Sequence, residues 1–288
     1  MTPSVFFDLE SFQSLLSRLI FTPLIEKNKS LVTDVTEFQR ILNQESKKNH
    51  YSLLGIETYS RNFWYKHLSN LQSSLPLFAN LLGLWEFNKF AVKHFSNETS
   101  SFRDLGHIPE SFFTGLKEHI DLNFKSERHL LLEQSLNLDL AWHDLFRIQS
   151  IESERLTIVP SEHTVFKLKD KFRILQDSFG LWNLRIEIKS ILDHGRSPHE
   201  DLKISKKVPA KRSPTSYILM KSQGPAVDWI LIDALRGDFL SQLNGNSLAQ
   251  AVDNFSVKLT PDERILAEKN IHRWVRSSLE QNLWDFVV

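Results

Sequence analysis

The sequence predicts a mainly α chain with a smaller α+β part. An N-terminal helical domain spans residues 1–150, and a C-terminal α+β domain spans 151–288 and contains a winged-helix-like module. Three observations predict this. Apolar residues recur at three- and four-residue spacing through the first half, the period of a helix that buries one face. After Ile151 short β-branched and aromatic runs appear between Pro, Gly and Ser. From Tyr217 onward the pattern is two strands and then three helices, the composition of a winged-helix module.

Each helix of the first half has its own signals. Phe6, Phe7, Leu9, Phe12, Leu15, Leu16 and Leu19 mark an amphipathic helix, with Pro23 just past its end. Thr33-Asp34 caps a second helix carrying Phe38, Ile41 and Leu42. A third begins near Leu53 and carries Tyr59, Phe63, Trp64, His67, Leu68 and Leu71; Leu75-Pro76 breaks or restarts it, because the residue before proline is pushed out of the helical region. Gly83 stops the short helix Leu77–Leu82. Trp85–Phe95 forms another. Pro109-Glu110 opens a helix through Phe112, Phe113, Leu116 and Ile120, and Glu127–Phe146 is the last and longest.

In the second half, Leu156–Pro160 and Thr164–Leu168 have strand composition, and Phe179–Leu192 returns to helical spacing. Residues 193–214, rich in Pro, Ser and Lys, form a linker. Tyr217–Lys221 and Val227–Ile232 are strands joined by Gln223-Gly224-Pro225. Helices follow at Ala234–Leu243 and Ser247–Phe255, separated by Asn244-Gly245-Asn246. Thr260-Pro261-Asp262-Glu263 starts the final helix, with a Thr cap, Pro at the first position and Glu three residues on.

Composition narrows the function classes. Lys plus Arg is 35 and Asp plus Glu is 35, so net charge is zero; a dedicated nucleic-acid binder carries a basic excess, which argues against that class here. With no cysteine, disulfides, thiolate metal sites and cysteine nucleophiles are excluded. No signal peptide is recognisable from Met1 to Glu10 and no apolar run is long enough to span a membrane, so a cytoplasmic protein without membrane partners is expected.

The stretch Leu138–Phe146 sets Trp142, His143 and Asp144 at the end of an apolar helix. Asp139 and His143 are four apart and share a face. One such pair supplies two metal ligands at most, and metal sites need three or four. The favoured reading is a carboxylate orienting an imidazole at a packed helix end; a catalytic or metal-binding pair is the lesser one. His67, His94 and His119 are isolated helical histidines with no ligand-spaced partner. No nucleophile elbow, phosphate loop or dinucleotide fingerprint occurs. The chain therefore offers no complete catalytic constellation, no full metal-ligand set and no cofactor fingerprint, and an enzyme is not expected. The basic run from Lys203 to Arg212 lacks interleaved aromatics and reads as a solvated linker. For the winged-helix-like module two uses stand open. A DNA reader offers Arg, Lys, Asn or Gln from its second helix, but Ser247–Phe255 has neither Arg nor Lys and carries Asp253. Peptide capture on a strand edge beside a helix needs no charge.

Taken in order, Tyr59-Ser60-Arg61-Asn62, Leu75-Pro76, Leu82-Gly83, Gly106 with Pro109 and Phe112-Phe113, Asp139-Leu140-Ala141-Trp142-His143, Leu156–Ser161, Phe179-Gly180-Leu181-Trp182, Val227-Asp228-Trp229 and Gly245–Leu248 form a pattern that resembles the HvfC/BufC family. That family is described as a DNA-binding domain family, with MbnC-like proteins as related partners of multinuclear non-heme iron oxidative enzymes. The likeness covers residues 51–255. Ser60 stands where the family has Arg, Leu75 where it has Phe, and Asn97-Glu98-Thr99 where it has a Pro pair. The resemblance implies a non-catalytic accessory subunit. Such a subunit binds an iron-dependent oxidative enzyme and recruits the leader of a ribosomally synthesised precursor peptide (RiPP) for cysteine modification, through a RiPP recognition element-like module; iron belongs to the partner enzyme. The expected peptide-binding residues are Val227, Trp229 and Leu231 on the strand edge and Ile271, Trp274 and Val275 on the last helix. Trp142, His143 and Asp144 are the expected partner interface, with a core role for Trp142 and His143 an equal reading. A winged-helix transcription regulator is the alternative.

Overall fold

Eleven helices and seven strands form among residues 9–28, 30–45, 53–96, 108–148, 163–192, 210–222 and 226–287, the residues that the computed structural model describes. The chain is mainly helical with small antiparallel sheets. It folds as two compact units: Met1–Lys125 with Ile186–Lys206, and Ser126–Arg185 with Lys207–Val288. No helix among the described residues is long and apolar enough to cross a membrane.

The first unit contains α1 (Leu9–Ile20), β1 (Leu24–Lys27), β2 (Ser30–Thr33), α2 (Val35–Glu45), α3 (Leu53–Ser74), α4 (Pro76–Leu82), α5 (Leu84–Ser96) and α6 (Glu110–Asn123). The predicted signals act as read. Asp34 Oδ1 accepts the Glu37 amide at 3.1 Å to start α2. Pro76 occupies the first turn of α4, and Gly83 ends it at a φ of 105°, which favours glycine. The β1–β2 hairpin is not predicted; it pairs antiparallel and turns through Asn28 at a φ of 53°. Trp64 and Ser60 of α3 tie down the connection after α1, donating from Nε1 to the Thr22 carbonyl and from Oγ to the Ile20 carbonyl, both at 3.0 Å. Phe78, Phe87, Phe95 and Phe112 form the aromatic core around α4–α6, with the Phe95 and Phe112 rings stacked at 4.9 Å.

The second unit contains α7 (Ser126–Arg147), β3 (Val165–Leu168), β4 (Phe172–Asp177), the first turn of α8 (Leu181–Leu192), β5 (Thr215–Lys221), β6 (Val227–Asp233), α9 (Ala234–Leu243), α10 (Leu248–Ser256), α11 (Pro261–Glu280) and β7 (Trp284–Val287). The sequence pattern groups α7 with the first half; in the structure it packs on β4, β5 and β6. Strands β4 and β7 have no sequence prediction. The predicted strand Leu156–Pro160, most of the predicted linker and the turn Gln223-Gly224-Pro225 lie outside the described residues.

β4, β5 and β6 make a three-stranded antiparallel sheet in that order. Side chains alternate across a strand, so the register puts Arg173, Leu175, Tyr217, Leu219, Trp229 and Leu231 on one face, the face toward α7. The opposite face presents Phe172, Ile174, Ile218, Ile230 and Ile232 to a core completed by Phe239, Leu240, Leu243, Phe255 and Trp274 of α9–α11. The start of α11 matches its sequence signal, and α9 and α10 are capped in the same way. Asp233 accepts the Arg236 amide at 2.7 Å, and Ser247/Gln250 and Thr260/Glu263 both form reciprocal capping boxes. The Asn244-Gly245-Asn246 turn is clamped by β3: Phe166 N donates to the Asn246 carbonyl at 3.0 Å and Gly245 N to the Phe166 carbonyl at 2.7 Å.

Candidate functional site

Asp177, the last residue of β4, organises the site. Its Oδ1 accepts the amides of Phe179 and Gly180, both at 2.8 Å, and its Oδ2 accepts that of Leu181 at 2.6 Å. Three otherwise unpaired amides at the start of α8 are thereby satisfied by one carboxylate. This cap fixes where α8 begins, and Trp182 and Arg185, three residues apart, share one face of its first turn.

Both side chains are buried in the second unit. Arg185 Nε donates to Asp139 Oδ1 of α7 at 2.7 Å, and its guanidinium lies 4.4 Å from the centre of the Trp142 ring, a cation–π contact. Trp182 sits among three aromatic rings, 5.7 Å from Trp142, 5.4 Å from Trp229 and 6.3 Å from Tyr217. Tyr217 also meets Trp229 at 5.7 Å in a T-shaped contact. The result is an aromatic shelf held from below by a buried ion pair. Its outer end is Trp229, 42% exposed, with Leu231, 55% exposed, two residues along the same strand.

Among the described residues β6 pairs with β5 alone, so its other edge presents unpaired backbone groups. Such an edge accepts an added strand, and alternate side chains of that strand would meet Trp229 and Leu231. The Asp139 carboxylate is held by Arg185, and a metal ion or substrate would have to displace that contact. Burial pushes the His143 imidazole below the usual histidine range; Asp144 opposes the shift, while Arg147 and Arg185 add to it.

The six expected peptide-binding residues separate into three groups. Trp229 and Leu231 stand together on the open edge. Val227 is buried at the start of the strand, and Trp274 is buried against Phe239 at 6.0 Å, a core residue rather than a groove residue. Ile271 and Val275 line a groove of about 400 Å³ with Leu248, Val252 and Leu279, rimmed by Glu268, His272 and Arg276. That groove belongs to the helical layer packed on the other sheet face from Trp229 and Leu231, so the structure does not join the two sets into one surface. Of the expected partner-facing residues, Trp142 is half-buried in the aromatic shelf and His143 half-buried beside it. Asp144 is exposed, 3.8 Å from Arg173. Arg185 and Tyr217 have no sequence signal of a role, and Trp182 enters only through the resemblance: their partners are far along the chain, Asp139 being 46 residues from Arg185.

No family model matches the chain, and no curated protein is detectably similar to it.

Proposed function

We propose that this protein is a non-catalytic partner subunit that captures the leader of a ribosomally synthesised precursor peptide as an added strand on β6. It would present that peptide to a multinuclear non-heme iron-dependent oxidative enzyme for cysteine modification. The observation that carries the reading is the open β6 edge with Trp229 and Leu231 exposed side by side. A sheet of three strands followed by three capped helices is a winged-helix-like, RiPP recognition element-like arrangement, and it supports the same reading. The mechanism is proximity. Holding the leader raises the effective concentration of the downstream cysteine at the partner's iron site, with no new chemistry in this chain. The shelf beneath Trp229 preorganises the edge, so little side-chain freedom is lost when the peptide docks. Asp144, exposed at the end of α7, is the partner-facing residue of the expected three. The edge assignment replaces the mixed set drawn from sequence: the α11 residues are left out of it.

The test is recovery of the tagged chain from its native cell at moderate salt. An iron-containing enzyme and a precursor peptide are expected in stoichiometric yield. A Trp229→Ala/Leu231→Asp variant is expected to keep the enzyme and lose the peptide, with affinity reduced at least about tenfold. Undiminished peptide affinity in a folded variant overturns the edge assignment. Recovery of the chain with DNA, and without either partner, favours the transcription-regulator alternative.

A further inference from the structure

We propose that the first unit carries a second, independent site: the cleft between the β1–β2 hairpin and helices α5 and α6 binds a small apolar monocarboxylate. The cleft encloses about 970 Å³, at the upper end of the range for small-molecule sites. Its apolar lining comes from Leu24 and Leu31 of the hairpin, Phe90 and Val92 of α5, and Leu122 of α6, which is 80% exposed at the lip.

Position 115 lines the cleft as glycine. A Cβ there would stand 3.3 Å from Phe90 Cζ and 3.4 Å from His94 Nδ1, so any side chain at this position would crowd those rings and fill part of the cleft. The Phe90 ring is itself flanked by the imidazoles of His94, stacked at 6.0 Å, and His119, at 5.2 Å.

The polar groups select the ligand's charge. Asn123 Nδ2 donates to the His119 carbonyl at 2.9 Å, which identifies that atom as the amide nitrogen. It also lies 3.1 Å from His119 Nδ1. Nδ1 therefore accepts, and the ring proton resides on Nε2. Burial pushes this imidazole below the usual histidine range, which agrees with a neutral ring that donates through Nε2 alone. Lys89 is shared between Glu26 at 3.7 Å and Glu86 at 3.6 Å. Among the described residues Lys93, one helical turn on, has no acidic partner. One unpaired ammonium and one neutral N–H suit a single carboxylate. Lys89 offsets part of the charge of Glu26 and Glu86, and the acidic charge that remains with Glu118 opposes a polyanion more strongly than a monoanion held at Lys93. The ligand is thus an aryl or alkyl chain, seated on Phe90 and the leucines, with one carboxylate directed to Lys93 and His119.

The probe is 4-phenylbutyrate, titrated into the full chain by calorimetry and by amide NMR. Saturable binding is expected within the millimolar range, with shifts concentrated at Gly115, His119 and Leu122. Gly115→Val is expected to weaken binding at least about tenfold. Lys93→Gln, a surface change that leaves the fold alone, is expected to weaken 4-phenylbutyrate and to leave the neutral 4-phenylbutanol unaffected; inorganic phosphate is expected not to compete. Non-saturable binding overturns the proposal. So does equal affinity for the acid and the alcohol, or an affinity unchanged in folded Lys93→Gln. The β6 edge is untouched by these variants, so failure here leaves the peptide reading standing.

Discussion

Arg185 and Asp139 show how much one residue pair decides. Arg185 is 2% exposed and Asp139 is fully buried, so both charges have left water. Their contact repays that desolvation only while both are present. The Arg185 Nη2 makes no hydrogen bond in this structure, which leaves the pair incompletely satisfied and makes it a poor source of net stability. Asp139→Asn or Arg185→Met alone is therefore expected to destabilise the second unit by about 3–5 kcal/mol, because each strands a charge. The double change Asp139→Leu/Arg185→Met is expected to recover most of that loss in urea unfolding. A double variant as unstable as the sum of the singles would mean that the two charges are not coupled, and would overturn this reading. Sequence spacing reveals Asp139 through its place on α7 with His143, and it cannot reveal Arg185, because a partner 46 residues away is defined only once α8 docks.

At the scale of elements, α9 lies directly on β5, and one glycine permits it. A Cβ at Gly237 would overlap Ser216 Oγ and Cβ. Two effects oppose each other in Gly237→Ala. Helix propensity favours alanine by about 1 kcal/mol, while overpacking costs about 1–3 kcal/mol and here meets the Ser216 side chain, whose Cβ no rotamer change can move aside. The second is expected to win: Gly237→Ala lowers the urea midpoint, and Ser216→Gly introduced beside it restores the midpoint or raises it. A rise in the single variant would show that α9 moves freely over the sheet. The same contrast explains which elements are legible. Helix α11 announces its start through Thr260, because capping is a local property of three or four residues; Asp233 and Ser247 cap α9 and α10 in the same local way. β4 does not announce itself. Ile174 enters the α9–α11 core while Leu175 lies under α7, so both faces are covered and the polar alternation that marks a half-exposed strand is blurred. β7 has four residues and exists through its pairing with β3, a contact from the other end of the unit. On α11, Ile271, Trp274 and Val275 form one stripe by period. The fold sends the middle of the stripe into the core and leaves its flanks on the groove, a division that periodicity cannot make.

At the scale of the whole molecule, equal numbers of acidic and basic residues and a pI near 7.2 leave no net charge to draw a polyanion. α10, the helix a DNA reader of this shape would place in the groove, carries exposed Asp253 and no Lys or Arg. Binding to β6 would instead rest on backbone pairing and on covering Trp229 and Leu231, both insensitive to ionic strength; the charges flanking that strand, Asp228 and Asp233, are exposed and screened within about 10 Å at 0.1 M salt. Peptide affinity is therefore expected to change by no more than about threefold between 50 and 200 mM salt, against the loss of about 10³–10⁵ that a protein neutralising six to ten phosphates shows over that range. Titrating one ligand at both salt concentrations separates the readings without knowing which side chains are involved. A flat response with saturable peptide binding supports strand capture. A steep fall, with DNA competing for the same surface, would move the function to nucleic acid and require a basic patch that the folded second unit assembles from residues dispersed along the sequence.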